Sequence, residues 1–161
     1  MTGSQHKTLR EAKAEVRSKL DEGVTCPCCD QYARAYKRKL NSGMARSLCW
    51  LVRVYQSSPG WVDVPKTAPR HVIKSNEIGK LVHWGLVEQK VNTDTSKRCS
   101  GVWRPTKRGV DFVMGTIRAP RRVRLYNNIP LAWEKKYITI YEALGDHFDY
   151  AELMGFAYKG L

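Results

Sequence analysis

Asn76-Glu-Ile-Gly-Lys-Leu-Val-His-Trp-Gly85-Leu-Val-Glu-Gln-Lys-Val91 is followed, after a polar loop, by Gly101-Val-Trp-Arg-Pro-Thr-Lys-Arg-Gly-Val-Asp-Phe-Val113. Ile78, Leu81 and Val82 recur at helical spacing, which predicts a short helix with one apolar face. Lys74, Ser75, Glu77, Lys80 and His83 fall mainly on its other face. Gly85 stands where a left-handed C-terminal residue costs glycine least. Alternation from Leu86 to Val91 and again over Gly101–Arg104 predicts two strands. Asn92, Thr93, Asp94, Thr95 and Ser96 make the turn between them, with Lys97 and Arg98 at its basic tip. Thr106 caps a following helix that carries Val110, Phe112 and Val113. Helix, two-stranded ribbon and helix form the back half of a winged helix.

Outward from this stretch, Met44 to Tyr55 is apolar almost all round. Such a helix is covered by its neighbours, so it is expected as the central core helix, capped by Asn41 or Ser42, with Cys49 as inert core. Trp61–Val64 reads as a short strand able to pair with the wing. Pro65 and Pro69 leave room for one helical turn at most before Lys74, so the helix-turn-helix is expected to be shortened. A capping box at Thr8 and Glu11 opens a helix over Leu9–Glu22, stopped by Gly23. Tyr32, Tyr36 and Leu40, at steps of four, predict a helix over Gln31–Leu40. Arg122–Tyr126 and Ile129–Trp133 form a hairpin around Asn127-Asn128. Capping pairs Thr139/Glu142 and Asp149/Glu152 predict short helices at Ile140–Leu144 and Tyr150–Met154. The expected class is α+β: a winged-helix core over 44–118, a helical extension with a Cys-rich turn over 1–43, and a C-terminal β-hairpin with short helices over 119–161.

The net charge of +13 is uneven. Residues 1–136 hold 27 Lys+Arg against 11 Asp+Glu, a net +16, and residues 137–161 hold one Lys against four acids, a net −3. A basic body suits a polyanion, and its alternative is a solvated, soluble surface. The densest run is Arg34, Lys37, Arg38 and Lys39, read either as phosphate contacts or as a solvated helix face. Arg70, His71 and Lys74 lie beside the expected recognition helix, within reach of phosphates. Ser75, Asn76, Lys80 and His83 are the candidates for base edges. Lys97 and Arg98 are the candidates for backbone or minor-groove contact.

Cys26 and Cys29 have the Cys-x-x-Cys spacing of a metal knuckle, which brings two thiolates to one ion. Zinc is the metal this spacing suits. A closed site needs two more ligands, and Cys49, Cys99, His71 and His83 lie far off in sequence. A structural turn with buried thiols is the alternative, and redox chemistry a third. Five cysteines with three crowded together argue against a disulfide framework and for a reducing compartment. The first residues lack the apolar run of a signal peptide, and no run approaches the ~20 residues of a membrane span. Cytoplasmic location without a membrane partner is expected. No Gly-rich phosphate loop or Ser/His/Asp set stands out, so no enzyme activity is expected.

Several segments together resemble small uncharacterised proteins of bacteriophages and prophages. These are Cys26-Pro-x-Cys, Tyr36-Lys-Arg-Lys-Leu-Asn-Ser-Gly-Met-Ala45, Trp84-Gly-Leu-Val-Glu88 and Gly101-x-Trp-Arg-Pro-Thr-x-x-Gly-x-x-Phe112. Tyr126-Asn-Asn128 and Ile140-Tyr-Glu-Ala-Leu-Gly-x-x-Phe-Asp-Tyr-x-Glu-Leu-Met154 extend the likeness. Asp30 stands where such a knuckle ordinarily carries glycine. Leu86–Glu88 with Trp103–Gly109 also resembles the wing of bacterial winged-helix regulators. The expected function is double-stranded DNA binding as a phage or mobile-element transcriptional regulator, for which a homodimer is the common arrangement. The alternative is an interaction protein that binds and disables a host protein.

Overall fold

The computed structural model describes residues 6–155. Its elements run α1 (Leu9–Ser18), β1 (Val24–Thr25), β2 (Tyr32–Ala33), β3 (Tyr36–Lys39), α2 (Ser42–Ser57), β4 (Val62–Asp63), α3 (Val64–Thr67) and α4 (Arg70–Ser75). A 3-10 helix (Ile78–Trp84) follows, then β5 (Val87–Gln89), β6 (Val102–Pro105), α5 (Lys107–Val113), β7 (Ala119–Pro120), β8 (Arg122–Tyr126), β9 (Ile129–Trp133), β10 (Tyr137–Ile138), α6 (Ile140–Leu144) and α7 (Tyr150–Leu153). The class is α+β, with the strands in several small sheets. No helix among the described residues is long and apolar enough to cross a membrane. Contacts divide the chain into two compact units, Met1–Arg38 with Val123–Trp133, and Lys39–Arg122 with Glu134–Leu161.

The first unit is built on a small core of Val16, Leu20, Ala33 and Ala35, with Val24, Cys26 and Tyr126 packed against it. Thr8 opens α1 with both bonds of a capping box: its hydroxyl accepts from the Glu11 N–H, and the Glu11 carboxylate accepts from the Thr8 N–H. The helix ends at Ser18, earlier than the expected Glu22. Lys19 to Glu22 instead form a turn that returns Leu20 to the core and closes with Gly23 N–H on the Lys19 carbonyl, 2.9 Å. β1 and β2 make an antiparallel hairpin in the register Val24↔Ala33 and Thr25↔Tyr32. β8 and β9 pair antiparallel with a bulge between Arg124 and Leu125.

The helix expected over Gln31–Leu40 is absent; β2 and β3 occupy that span. A spacing of four is two strand periods and close to one helical turn of about 3.6 residues, so Tyr32, Tyr36 and Leu40 fit a strand as well as a helix. The deciding residues are the small ones, since Ala33 and Ala35 are both buried at the strand period of two. Ala35 then donates its N–H to the carbonyl of Leu20 at 2.8 Å, a bond from outside the segment.

In the second unit α2 is the central element. Met44, Ala45, Leu48, Cys49, Leu51 and Val52 are buried on it, and Asn41 caps it by accepting from the Met44 N–H at 2.8 Å. α5, α6, β6 and the 3-10 helix pack around it. β4, β6 and β5 form an antiparallel sheet in the order β4-β6-β5, with Val62↔Trp103 and Glu88↔Arg104 as partners. β7 and β10 pair separately. Thr139 caps α6 with a full capping box, and Asp149 caps α7 by accepting from the Glu152 N–H.

Two short helices, α3 and α4, occupy Val64–Ser75, where one turn at most was expected. Neither proline breaks a helix because neither stands in a helix interior. Pro65 lies in the first turn of α3 and Pro69 is the residue before α4, where the missing N–H has no intrahelical acceptor anyway.

α5 approaches the sheet backbone to backbone. A Cβ on Gly109 would lie 2.0 Å from the Leu86 carbonyl oxygen, whereas one on Gly79 would meet the Trp103 ring at 3.6 Å. Gly109→Ala is therefore expected to lower stability by about 3 kcal/mol, the upper range for overpacking, and Gly79→Ala to leave it nearly unchanged. Urea unfolding of both variants checks this; equal midpoints would contradict the close approach.

Candidate nucleic-acid interface

Residues 70–84 carry most of the expected base and phosphate contacts. The second of the two helical segments there is 3-10 rather than α, with three residues per turn. Its buried residues follow that period: Ile78, Leu81 and Trp84. Trp84 also donates its indole N–H to the Pro120 carbonyl at 2.8 Å. Val82, expected on the buried face at α spacing, is turned outward and is 45% exposed.

The outward groups differ in availability. Ser75 donates its hydroxyl to the Val72 carbonyl at 3.1 Å, within its own helix. Lys80 reaches Glu77 at 3.2 Å, three residues back. Asn76 ends α4 in the left-handed region at φ 50° and is exposed. Arg70 and Lys74 are exposed, and His83 is half-buried. His71 is half-buried too. Burial first, and then the nearby Arg46 cation, push its imidazole below the ordinary histidine range. At neutral pH it is an uncharged hydrogen-bonding ring, not a counter-charge for phosphate. Arg46 of α2, which no sequence pattern singled out, lies over the Phe148 ring at 4.6 Å.

The loop between β5 and β6 is internally bonded. Asn92 donates its amide to the Lys97 carbonyl at 2.8 Å. The Asp94 carboxylate accepts from the Ser96 N–H at 2.9 Å and from the Ser96 hydroxyl at 2.6 Å. Ser100 donates to the Lys90 carbonyl at 2.7 Å. These bonds hold Lys97 and Arg98 exposed at the tip. At the base, Arg104 lies over the Trp61 ring at 4.2 Å and pairs with Glu88 on the neighbouring strand.

The first unit carries its own basic site. Arg34 and Lys37 line an open cleft of about 750 Å³ with Asp21, Ala35, Tyr36 and Arg124. Arg124 is held there by Asp21, Nε to Oδ1 at 2.8 Å. Arg38 stands over the Tyr36 ring at 5.7 Å. Cations beside an exposed aromatic ring suit phosphate with a stacked base. Strand geometry separates what the expected helix would have aligned, so Arg34 and Lys37 join Arg124, not a row of four with Arg38 and Lys39. The basic alternation of Arg122, Arg124 and Tyr126 was the visible signal for this partner.

Cys26, Cys28 and Cys29 occupy the loop of the β1–β2 hairpin. The loop is closed by Cys26 N–H on the Gln31 carbonyl, 2.8 Å, and Asp30 N–H on the Cys26 carbonyl, 2.9 Å. Asp30 takes the left-handed position, φ 59°, that glycine ordinarily fills in a knuckle. The backbone N–H groups of Cys28 and Cys29 donate to the Cys26 sulfur and hold its thiol below the usual range. Cys49 is buried, and desolvation raises its thiol to about 12. Among the described residues no group of three or more His, Cys, Asp or Glu side chains is placed to hold a metal ion. Cys49, Cys99, His71 and His83 belong to the second unit.

Asp94 supplies a pH test of the loop. Its hydrogen bonds from Ser96 hold its carboxyl below the ordinary aspartate value of 3.8. A lowered folded value means the contribution is complete above 3.8 and is lost as pH falls through the folded value. Lower amide protection at Ser96 and Lys97, taken against the intrinsic exchange rate at each pH, is expected at acid pH, and at neutral pH in Asp94→Ala. Unchanged exchange in the variant would show that the loop is ordered by something else.

Comparison with family models, curated proteins and solved structures finds no match to this chain.

Proposed function

We propose that the second unit is a winged helix that binds double-stranded DNA, in a transcriptional regulator of a phage or mobile element acting in the host cytoplasm. The observation that carries this is the strand order β4-β6-β5 with its helices: α2 before β4, then α4 and the 3-10 helix, then β5, a basic loop and β6. In a winged helix the first strand pairs with the last, and the wing joins the last two. The 3-10 helix stands in the recognition position and would enter the major groove with Asn76, Ser75, Lys80 and His83 towards base edges. Arg70, Lys74, Lys97 and Arg98 would hold phosphates, and Arg34, Lys37, Arg38 and Lys39 would add further backbone contacts. The net charge of +13 supplies the long-range attraction. The phage setting rests on the sequence resemblance.

A second reading has one specific observation in its favour. Ile73 on α4 and Val82 on the 3-10 helix are 48% and 45% exposed. An apolar recognition face suits a protein surface better than a DNA groove, as an inhibitor of a host protein would require.

A salt titration on a mixed duplex pool, with bound sequences recovered at high salt, separates the two. Each phosphate contact adds roughly 0.9 to the log–log salt slope, so Lys97→Ala with Arg98→Ala is expected to reduce it by about 2. Recovery of a sequence motif supports a specific DNA reader. A steep slope with no motif, unchanged in the double variant, would remove the wing from the DNA interface and favour the protein target.

A further inference from the structure

The cysteine hairpin carries chemistry that DNA binding does not use. We propose that Cys26 and Cys29 are one half of a tetrahedral zinc site, completed by the same pair from a second copy of the chain, so that zinc joins two chains through their hairpins.

The hairpin is already shaped for a metal. Two thiols three residues apart stand on a turn closed by the Cys26 N–H on the Gln31 carbonyl, 2.8 Å, and the Asp30 N–H on the Cys26 carbonyl, 2.9 Å. The left-handed Asp30 keeps the turn tight in the absence of the usual glycine.

The site is also incomplete within one chain. Structural zinc takes four ligands at about 2.0–2.3 Å. Among the described residues no third or fourth ligand is placed with this pair. Pro27, Cys28, Cys29 and Asp30 are all exposed, so nothing in the unit covers the open side. A second hairpin related by a twofold axis supplies two identical thiolates, as a self-complementary interface does.

The surroundings favour that occupant. Four thiolates and one zinc ion carry a net charge of about −2. Lys13 and Arg17 line the cleft beside the cysteines, so each chain brings two cations to a centre that needs them. The same cleft, about 410 Å³, is lined by Leu9, Ala12, Val16 and Tyr126, and Leu9 is 62% exposed at its edge. Zinc bridging would bring a second copy over this apolar rim. The four thiols release their protons as the metal binds.

The test uses the full-length chain, reduced and stripped with chelator, titrated with Co²⁺ and then Zn²⁺, with its mass followed by light scattering. The expected result is one metal per two chains, a Co²⁺ spectrum of four thiolates, and a doubling of the 18.5 kDa mass that chelator reverses. Cys29→Ser is expected to abolish both metal uptake and dimer, and Cys28→Ser to keep both. Circular dichroism and the DNA salt slope of Cys29→Ser show whether the chain remains folded. One metal per monomer, no metal uptake, or a dimer indifferent to chelator and to Cys29→Ser would each overturn the proposal.

Discussion

The second unit depends on one backbone junction at Leu86. Gly85 turns the chain out of the 3-10 helix in a left-handed conformation, and its carbonyl accepts the Thr106 hydroxyl at 2.6 Å. The Leu86 carbonyl accepts the Thr106 N–H at 3.1 Å, and Gly109 presses against the same oxygen. Leu86 itself is fully buried. The end of the 3-10 helix and the start of β5, contiguous in sequence, thus meet the distant start of α5 around two peptide units. The junction closes the open end of the β5–β6 ribbon, and the Lys90 N–H on the Val102 carbonyl at 2.9 Å closes the base of its long polar loop. Without a glycine at 109 the backbone approach is sterically blocked, and without Thr106 the same residue could not both cap α5 and tie it to Gly85.

The charge of the protein has two uses that the structure separates. Some cations are spent internally: Arg124 on Asp21, Arg104 on Glu88 and Trp61, Lys80 on Glu77. These exposed or half-exposed pairs are worth little each, on the order of 0–1 kcal/mol, and their role is to position the aromatic and basic groups beside them. Arg34, Lys37, Arg70, Lys74, Lys97 and Arg98 remain at the exposed surface. They are distributed over both units, so neither unit monopolises the capacity to meet a polyanion.

Much of the fold was legible from local signals. Capping residues Thr8, Asn41, Thr106, Thr139 and Asp149 each mark a helix start that the structure contains. A cap is a hydrogen bond within four residues, so it is written in the chain. The β5–β6 ribbon and the β8–β9 hairpin follow from alternation and turn residues for the same reason. Of the site, the exposure of Lys97 and Arg98 was legible, because a polar cluster flanked by strands has nowhere to fold but outward. The cleft around Arg34 was not, because Asp21, Lys37 and Arg124 come from three separate segments.

By itself, then, the sequence determined the positions of helix starts, turns and ribbon strands, the basic balance, and the placement of Cys26 and Cys29 on one turn. Only tertiary structure decided three things. Residues 31–40 became strand because Leu20 and the alanine side of the segment offered long-range partners that a spacing of four could not reveal. Residues 78–84 became a 3-10 helix, which buried Trp84 on the Pro120 carbonyl and turned Val82 outward. His71 has its imidazole pushed below the ordinary range because folding set it partly buried beside Arg46. In each case the deciding partner lies more than ten residues away, beyond the reach of any local pattern.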